Sequence, residues 1–300
     1  MNYRHAFHAG NFADVVKHAS FARILEYLKE KPAAFRVIDS HAGAGRYDLS
    51  GPEASRTGEW REGIGKLLAA DRARDLSADV RALLAPYLDV VRAMNDVGGH
   101  SAGKGAADAG AVTAYPGSPA LAQALMREDD RLTACELEPN AARDLAAALR
   151  GDRRASAVAI DGYTALNAYV PPKERRGVVL IDPPFEAEEE HARLGEALAG
   201  AHRKWPTGIY LLWYPIKDER ETEGFGRRLK TLGISRMLRA ELVLTGRPGE
   251  RLRGSGLVVV NPPWTLEAEL QTLLPALATV LSDAAAPGSR TRVDWLVAGM

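Results

Sequence analysis

The stretch Gly177-Val178-Val179-Leu180-Ile181-Asp182-Pro183-Pro184-Phe185 decides the fold class. Four consecutive apolar residues, three of them β-branched, predict a strand buried on both faces of a parallel sheet. Asp182 then falls at the carboxyl end of that strand, where open α/β sheets bind their ligands. Two prolines cannot donate backbone hydrogen bonds and fix φ, so the chain leaves the sheet as a stiff turn. The turn gathers a carboxylate, the Pro183 carbonyl and the Phe185 ring. Two acceptors beside a flat apolar surface suit a planar base with an exocyclic amine: the acceptors take its hydrogens and the ring stacks on it.

Working outward, the 300 residues are 46% hydrophobic and 26% charged, ordinary for a globular chain. Lys plus Arg and Asp plus Glu number 39 each, so any nucleic-acid contact must rely on local basic patches. Such patches lie at Lys173–Arg176, at Arg227, Arg228 and Lys230, and at Arg247, Arg251 and Arg253. Cys135 is the single cysteine, which excludes an internal disulfide and a cysteine-built zinc site. The polar N-terminus and the lack of a long apolar run predict a cytoplasmic protein without a membrane span.

Three other predicted strands also end in acid. Phe35–Asp39 runs into Ser40-His41-Ala42-Gly43-Ala44-Gly45, a Gly-x-Gly turn that lets a nucleotide approach the backbone. The dinucleotide fingerprint needs a third glycine where Asp48 stands, which disfavours NAD. Arg131–Glu136 and Ala155–Ile160 follow, the latter leading into Asp161-Gly162. Between the first two of these strands the alternation breaks down: residues 46–115 read as a helical insertion within a single domain spanning 1–300, with 96–112 a Gly/Ala-rich flexible loop. Ser118 is expected as the N-cap of a helix that has Pro119 at its first position.

A parallel sheet whose strand ends carry Gly-x-Gly, acid, acid and then Asp-Pro-Pro-aromatic resembles the Rossmann-like class I S-adenosylmethionine-dependent fold. In that reading Gly43 and Gly45 receive the methionine part, Glu136 grips the ribose diol and Asp161 meets the adenine amine. Glu138, two residues beyond Glu136, is the competing ribose ligand.

Further motifs narrow the resemblance: Tyr3-Arg4-His5-x-Phe7-His8-Ala9-Gly10-Asn11-x-Ala13-Asp14-Val15-x-Lys17-His18, His41–Tyr47, Tyr115–Pro119 and Trp213-Tyr214-Pro215. Together they resemble, over nearly the whole chain, the family of ribosomal RNA large subunit methyltransferase J. These are bacterial enzymes that methylate adenine N6 of 23S ribosomal RNA. The family usually carries Tyr where this chain has Phe185, a change that loses a hydroxyl and keeps the stacking face. The resemblance implies that His18, His41, Ser118, Glu136, Asp161 and Gly162 contact S-adenosylmethionine, that Asp182 is the catalytic acceptor, and that Tyr3 touches the RNA.

Other readings stay open at this level. His5, His8, His18 and His41 crowd the N-terminus, but their spacing matches no zinc pattern. A non-catalytic nucleic-acid-binding module and a DNA adenine methyltransferase remain alternatives; the second lacks a separate target-recognition domain. Asn261-Pro262-Pro263-Trp264 follows its own apolar run and competes with Asp182. Its later place in the chain predicts a strand toward the far edge of the sheet, away from the methyl donor.

Overall fold

The protein is described by a computed structural model covering residues 4–96, 112–186, 189–245, 252–282 and 288–299. In chain order, a 3-10 turn (His5–Phe7) precedes α1 (Phe12–Lys29), β1 (Arg36–Asp39) and β2 (Arg46–Asp48). Then come α2 (Pro52–Thr57), a π turn (Arg61–Gly65), α3 (Lys66–Ala73), α4 (Ala78–Asp96) and β3 (Ala114–Pro116). The alternating part follows with α5 (Ser118–Leu125), β4 (Arg131–Glu136), α6 (Pro139–Ala148), β5 (Ala155–Ala159), α7 (Gly162–Tyr169) and β6 (Gly177–Ile181). The chain finishes with α8 (Glu190–Lys204), β7 (Ile209–Ile216), α9 (Glu219–Lys230), β8 (Met237–Val243), β9 (Gly254–Val260), α10 (Leu266–Leu281) and β10 (Arg290–Val297).

Eight strands form one sheet in the order β10-β8-β9-β7-β6-β1-β4-β5. The run from β5 through β4, β1 and β6 to β7 is parallel, and β9, β8 and β10 are added antiparallel. This is the mostly parallel Rossmann-like fold that the sequence predicts. β6 is buried along its whole length because both faces are covered. Val178 and Leu180 pack into the core shared with α1, whereas Val179 and Ile181 join Leu194 and Leu198 of α8 on the other face. From β1 the chain winds outward through β4 and β5, then returns to the other side for β6 and β7. That reversal opens a crevice at the carboxyl ends of β1, β4 and β6, where such sheets take ligands.

β2 and β3 form a separate antiparallel ladder, Arg46↔Pro116 to Asp48↔Ala114, closing the helical segment α2–α4 at its base. The ladder ends one residue before Gly117, so it places this segment beside the glycine turn and α5. The Gly/Ala-rich loop predicted at 96–112 lies outside the described residues from 97 to 111. None of the described helices is long and apolar enough to cross a membrane.

Candidate active site

The turn after β1 builds the floor. Gly43 has φ +59°, and a Cβ there would meet the Tyr47 hydroxyl at 2.2 Å, so the turn can close only over glycine. The Gly43 amide donates to Glu136 Oε2 at 2.8 Å, tying the turn to the end of β4. Glu136 Oε1 accepts from the Glu138 amide at 2.8 Å. Glu138 itself caps α6, its Oε2 accepting from Ala141 at 2.7 Å. Asp161 caps α7 in the same manner: Oδ1 accepts from the Thr164 amide at 2.9 Å and from its hydroxyl at 3.0 Å.

Asp39 ends β1 fully buried, and neither oxygen has a hydrogen bond of ordinary length and angle. Burial pushes its carboxyl up to about 7, with the Asp182 charge adding to the effect. The Ser118 hydroxyl and the His41 amide face it and offset part of that rise. The sequence predicts Ser118 as the helix N-cap, and the structure corrects this. Gly117 is the N-cap, Ser118 is the first helical residue, and its hydroxyl turns toward Asp39 instead.

On the other wall, Asp182 forms an ion pair with Lys17 of α1. Lys17 also holds Asp14 Oδ1 at 2.9 Å, and Asp14 Oδ2 shares a hydrogen bond with His5 Nε2 at 2.9 Å. Burial alone would neutralise Lys17, but Asp14 and then Asp182 outweigh it and hold the ammonium charged well above the ordinary lysine range. Asp14 is buried too, but the Lys17 charge and the hydrogen bond from His5 work against that burial, and its carboxyl is held well below the ordinary carboxylate range. His18 is pushed down to about 3 and His41 to about 4, in both cases by burial. Both rings are therefore neutral near pH 7. His18 Nδ1 shares a hydrogen bond with the Tyr115 hydroxyl at 2.7 Å, and His41 Nδ1 with Ser40 Oγ at 2.9 Å.

These groups line a cavity of about 420 Å³. Its walls include His18, His41, Gly43, Ser118, Glu136, Asp182 and Pro183, together with Arg4, His5 and Lys17. A smaller cavity of about 70 Å³ adjoins it, sharing His41, Glu136 and Pro184 and lined further by Asp161 and Gly162. Gly162 is held close to its neighbours, since a Cβ there would fall 2.5 Å from the His41 ring.

Two expected residues stand apart from both cavities. Gly45 turns its Cα toward Leu145 and Ala148 and accepts from the Gly117 amide, so it shapes the ladder behind the site. Phe185 packs its ring against His191 and Trp213, with centroids 5.0 and 5.7 Å away. Tyr3 lies outside the described residues. The four N-terminal histidines do not converge: His5, His8, His18 and His41 engage Asp14, Glu59, Tyr115 and Ser40 respectively. Sequence reasoning missed Asp14, Lys17 and Asp39 as parts of the site. For the first two the signal was the i,i+3 acid–base pair in the first turns of an otherwise buried helix.

The family described as ribosomal RNA large subunit methyltransferase D, RlmJ, matches residues 32–297. The chain is 38% identical over 298 residues to "Ribosomal RNA large subunit methyltransferase J" of Escherichia coli, covering 99% of both. It is also 38% identical to the protein of that name from Haemophilus influenzae, again over 99% of each. A crystal structure of a Legionella pneumophila protein superposes with a TM-score of 0.83 at 32% identity, covering 96% of this chain and 98% of that one. On fold, sequence and coverage together, the chain belongs to the ribosomal RNA large subunit methyltransferase J family.

Proposed function

We propose that the protein transfers a methyl group from S-adenosylmethionine to N6 of an adenine in 23S ribosomal RNA. The observation that carries this reading is the placement of Asp182 and Pro183 in the wall of the larger cavity, at the carboxyl end of β6. A carboxylate and a proline carbonyl side by side accept both hydrogens of an exocyclic amine. The N6 lone pair is delocalised into the ring, and these two acceptors favour a pyramidal, more nucleophilic nitrogen and stabilise its growing positive charge.

The residues present fit a cationic cofactor. Glu136 and Asp182 face the larger cavity, the buried Asp39 lies behind Ser118 and His41 of its wall, and the two histidines in the wall are neutral. Glu136 would hold the ribose hydroxyls, Asp161 and Gly162 the adenine end, and Gly43, His18, His41 and Ser118 the methionine end. When bound, S-adenosylmethionine supplies an electrophilic methyl on sulfur. The protein's part is to align the amine with it and to exclude water. Lys17 occupies Asp182 in the present structure, so an incoming amine must displace it or share the carboxylate. Asp14 remains as the partner of Lys17 in either case.

Incubating the purified protein with a 23S RNA transcript and S-adenosylmethionine, then digesting the RNA to nucleosides, tests the reading. The expected product is N6-methyladenosine. Methylation of another base, or of duplex DNA in preference to the transcript, would overturn it.

A further inference from the structure

Residues 4–11 form a strap along one side of the larger cavity, and residues 53–64 of the helical segment bind it at several points. Arg4 pairs with Glu53 at 2.9 Å, the Thr57 hydroxyl donates to the Phe7 carbonyl, and the Ile64 amide donates to the Gly10 carbonyl at 2.8 Å. The two backbones touch: a Cβ at Gly63 would lie 2.2 Å from the Gly10 oxygen. Two further bonds converge on one carboxylate. Glu59 Oε1 pairs with His8 Nδ1 at 2.8 Å, and Oε2 accepts from Asn11 Nδ2 at 3.0 Å.

Asn11 is the link to the chemistry. Its Oδ1 caps α1, accepting from the amides of Ala13 and Asp14 at 3.0 and 3.1 Å. An amide side chain can present its oxygen to the helix only if its nitrogen points the other way, and Glu59 takes that nitrogen. The capped first turn carries Asp14, which receives the Gly10 amide and holds both His5 and Lys17. Lys17 in turn reaches Asp182. An unbroken set of polar contacts therefore runs from Glu59 through Asn11 and Asp14 to the group that accepts the target amine.

We infer that Glu59 is a positioning residue for methyl transfer: its two oxygens lock the strap and the first turn of α1 so that His5, Asp14 and Lys17 face Asp182. The inference rests on the reading of Asp182 given above. It assigns the helical segment a part in catalysis without any contact between that carboxylate and substrate or cofactor. The Glu59 hydrogen bond also holds the His8 imidazole above its ordinary pKa against partial burial, so the pair gains charge assistance as pH falls.

The test compares wild type with Glu59→Ala and the milder Glu59→Gln, which keeps one acceptor. Glu59→Ala should lower kcat on 23S RNA by about tenfold, leaving KM for RNA and Kd for S-adenosylmethionine within about threefold. Hydrogen exchange should quicken at the amides of Gly10, Ala13 and Asp14 while the amides of β1, β4 and β6 keep their protection. Glu59→Gln should fall between the two. Unchanged kcat in Glu59→Ala would overturn the inference, as would unchanged exchange in the strap. Exchange that quickens equally throughout the sheet would also overturn it, by reducing Glu59 to general stability. If wild type makes no N6-methyladenosine, the functional reading fails, and the exchange data still decide whether Glu59 holds the strap.

Discussion

Two turns of this protein look alike in sequence: Asp182-Pro183-Pro184-Phe185 after β6 and Asn261-Pro262-Pro263-Trp264 after β9. Both follow buried apolar strands, and each contains a residue in the left-handed region, Phe185 at φ +50° and Asn261 at φ +51°. They lie at opposite ends of the strands of one sheet. β6 runs parallel to β1 and β7, so its end joins the other carboxyl ends at the cavity. β9 runs antiparallel to β7, with Val260 opposite Tyr210, so Asn261 emerges beside the start of β7. There its Nδ2 donates to the carbonyls of Pro206 and Gly208, both at 2.8 Å. The same motif shape thus serves a ligand site at one end and closes a turn at the other. Strand direction makes the difference, and an expectation of distance along the sheet did not capture it.

The left-handed residues repeat the contrast. Asn tolerates this conformation because its short polar side chain bonds locally, as Asn261 does. A bulky aromatic pays about 1–2 kcal/mol for it, and Phe185 is held there by His191 and Trp213. Phe185 directly follows Pro184 of the cavity wall, whereas Asn261 closes a turn at the other end of the strands.

Four measurements would break or sharpen the contrast. The largest effect belongs to the buried carboxyl at the Asp182 end of the strands. Burial pushes the Asp39 carboxyl up to about 7 in the folded protein, from an ordinary 3.8. Its contribution to stability is therefore complete below its unfolded value and is lost as pH rises through about 7. Asp39→Asn should be more stable than wild type at pH 8 by on the order of 4 kcal/mol, with the gap closing toward pH 4. Denaturant unfolding across that range reads it; a gap independent of pH would mean that Asp39 is not the titrating group.

Asp182→Ala comes next. Steady-state kinetics should show turnover falling at least about a hundredfold with S-adenosylmethionine affinity little changed, because the lost acceptors act mainly in the transition state. Asn261→Ala should leave turnover within about twofold and cost about 1–3 kcal/mol of stability, since two carbonyls lose their donor. Activity lost in Asn261→Ala and kept in Asp182→Ala would reverse the assignment of the two turns. The smallest effect is expected from Trp264→Ala. Its ring is 78% exposed beyond the end of the strands away from the cavity, so activity and melting temperature should both stay close to wild type. A loss of RNA affinity there would place substrate at the opposite end of the strands.

Much of the site was legible because strand ends in a parallel sheet are legible. A run such as Val178–Ile181 announces a buried strand, and the acid that follows it must lie at the carboxyl end. Glu136, Asp161 and Asp182 could be placed in this way, and Gly43 could be read from the turn that needs it. Helix α1 was less informative. Its residues are buried almost all round, so no polar face singles out Asp14 and Lys17 as charges directed at a cavity. Asp39 was read as one more strand end, and its want of partners arises only when β4, β6 and α5 close around it.

The sequence by itself determined the class of fold, the acids at the ends of the parallel strands and the family, since these depend on local periodicity and on short motifs whose backbone demands are fixed. The tertiary structure alone decided which of two similar turns faces the cavity, that Lys17 reaches across 165 residues of chain to Asp182, and that Glu59 and Asn11 join the helical segment to the strap. The physical reason is the same in each case. Strand direction, the pairing of buried charges and the aim of an amide side chain are settled by what packs against them, and those partners lie far away in the chain.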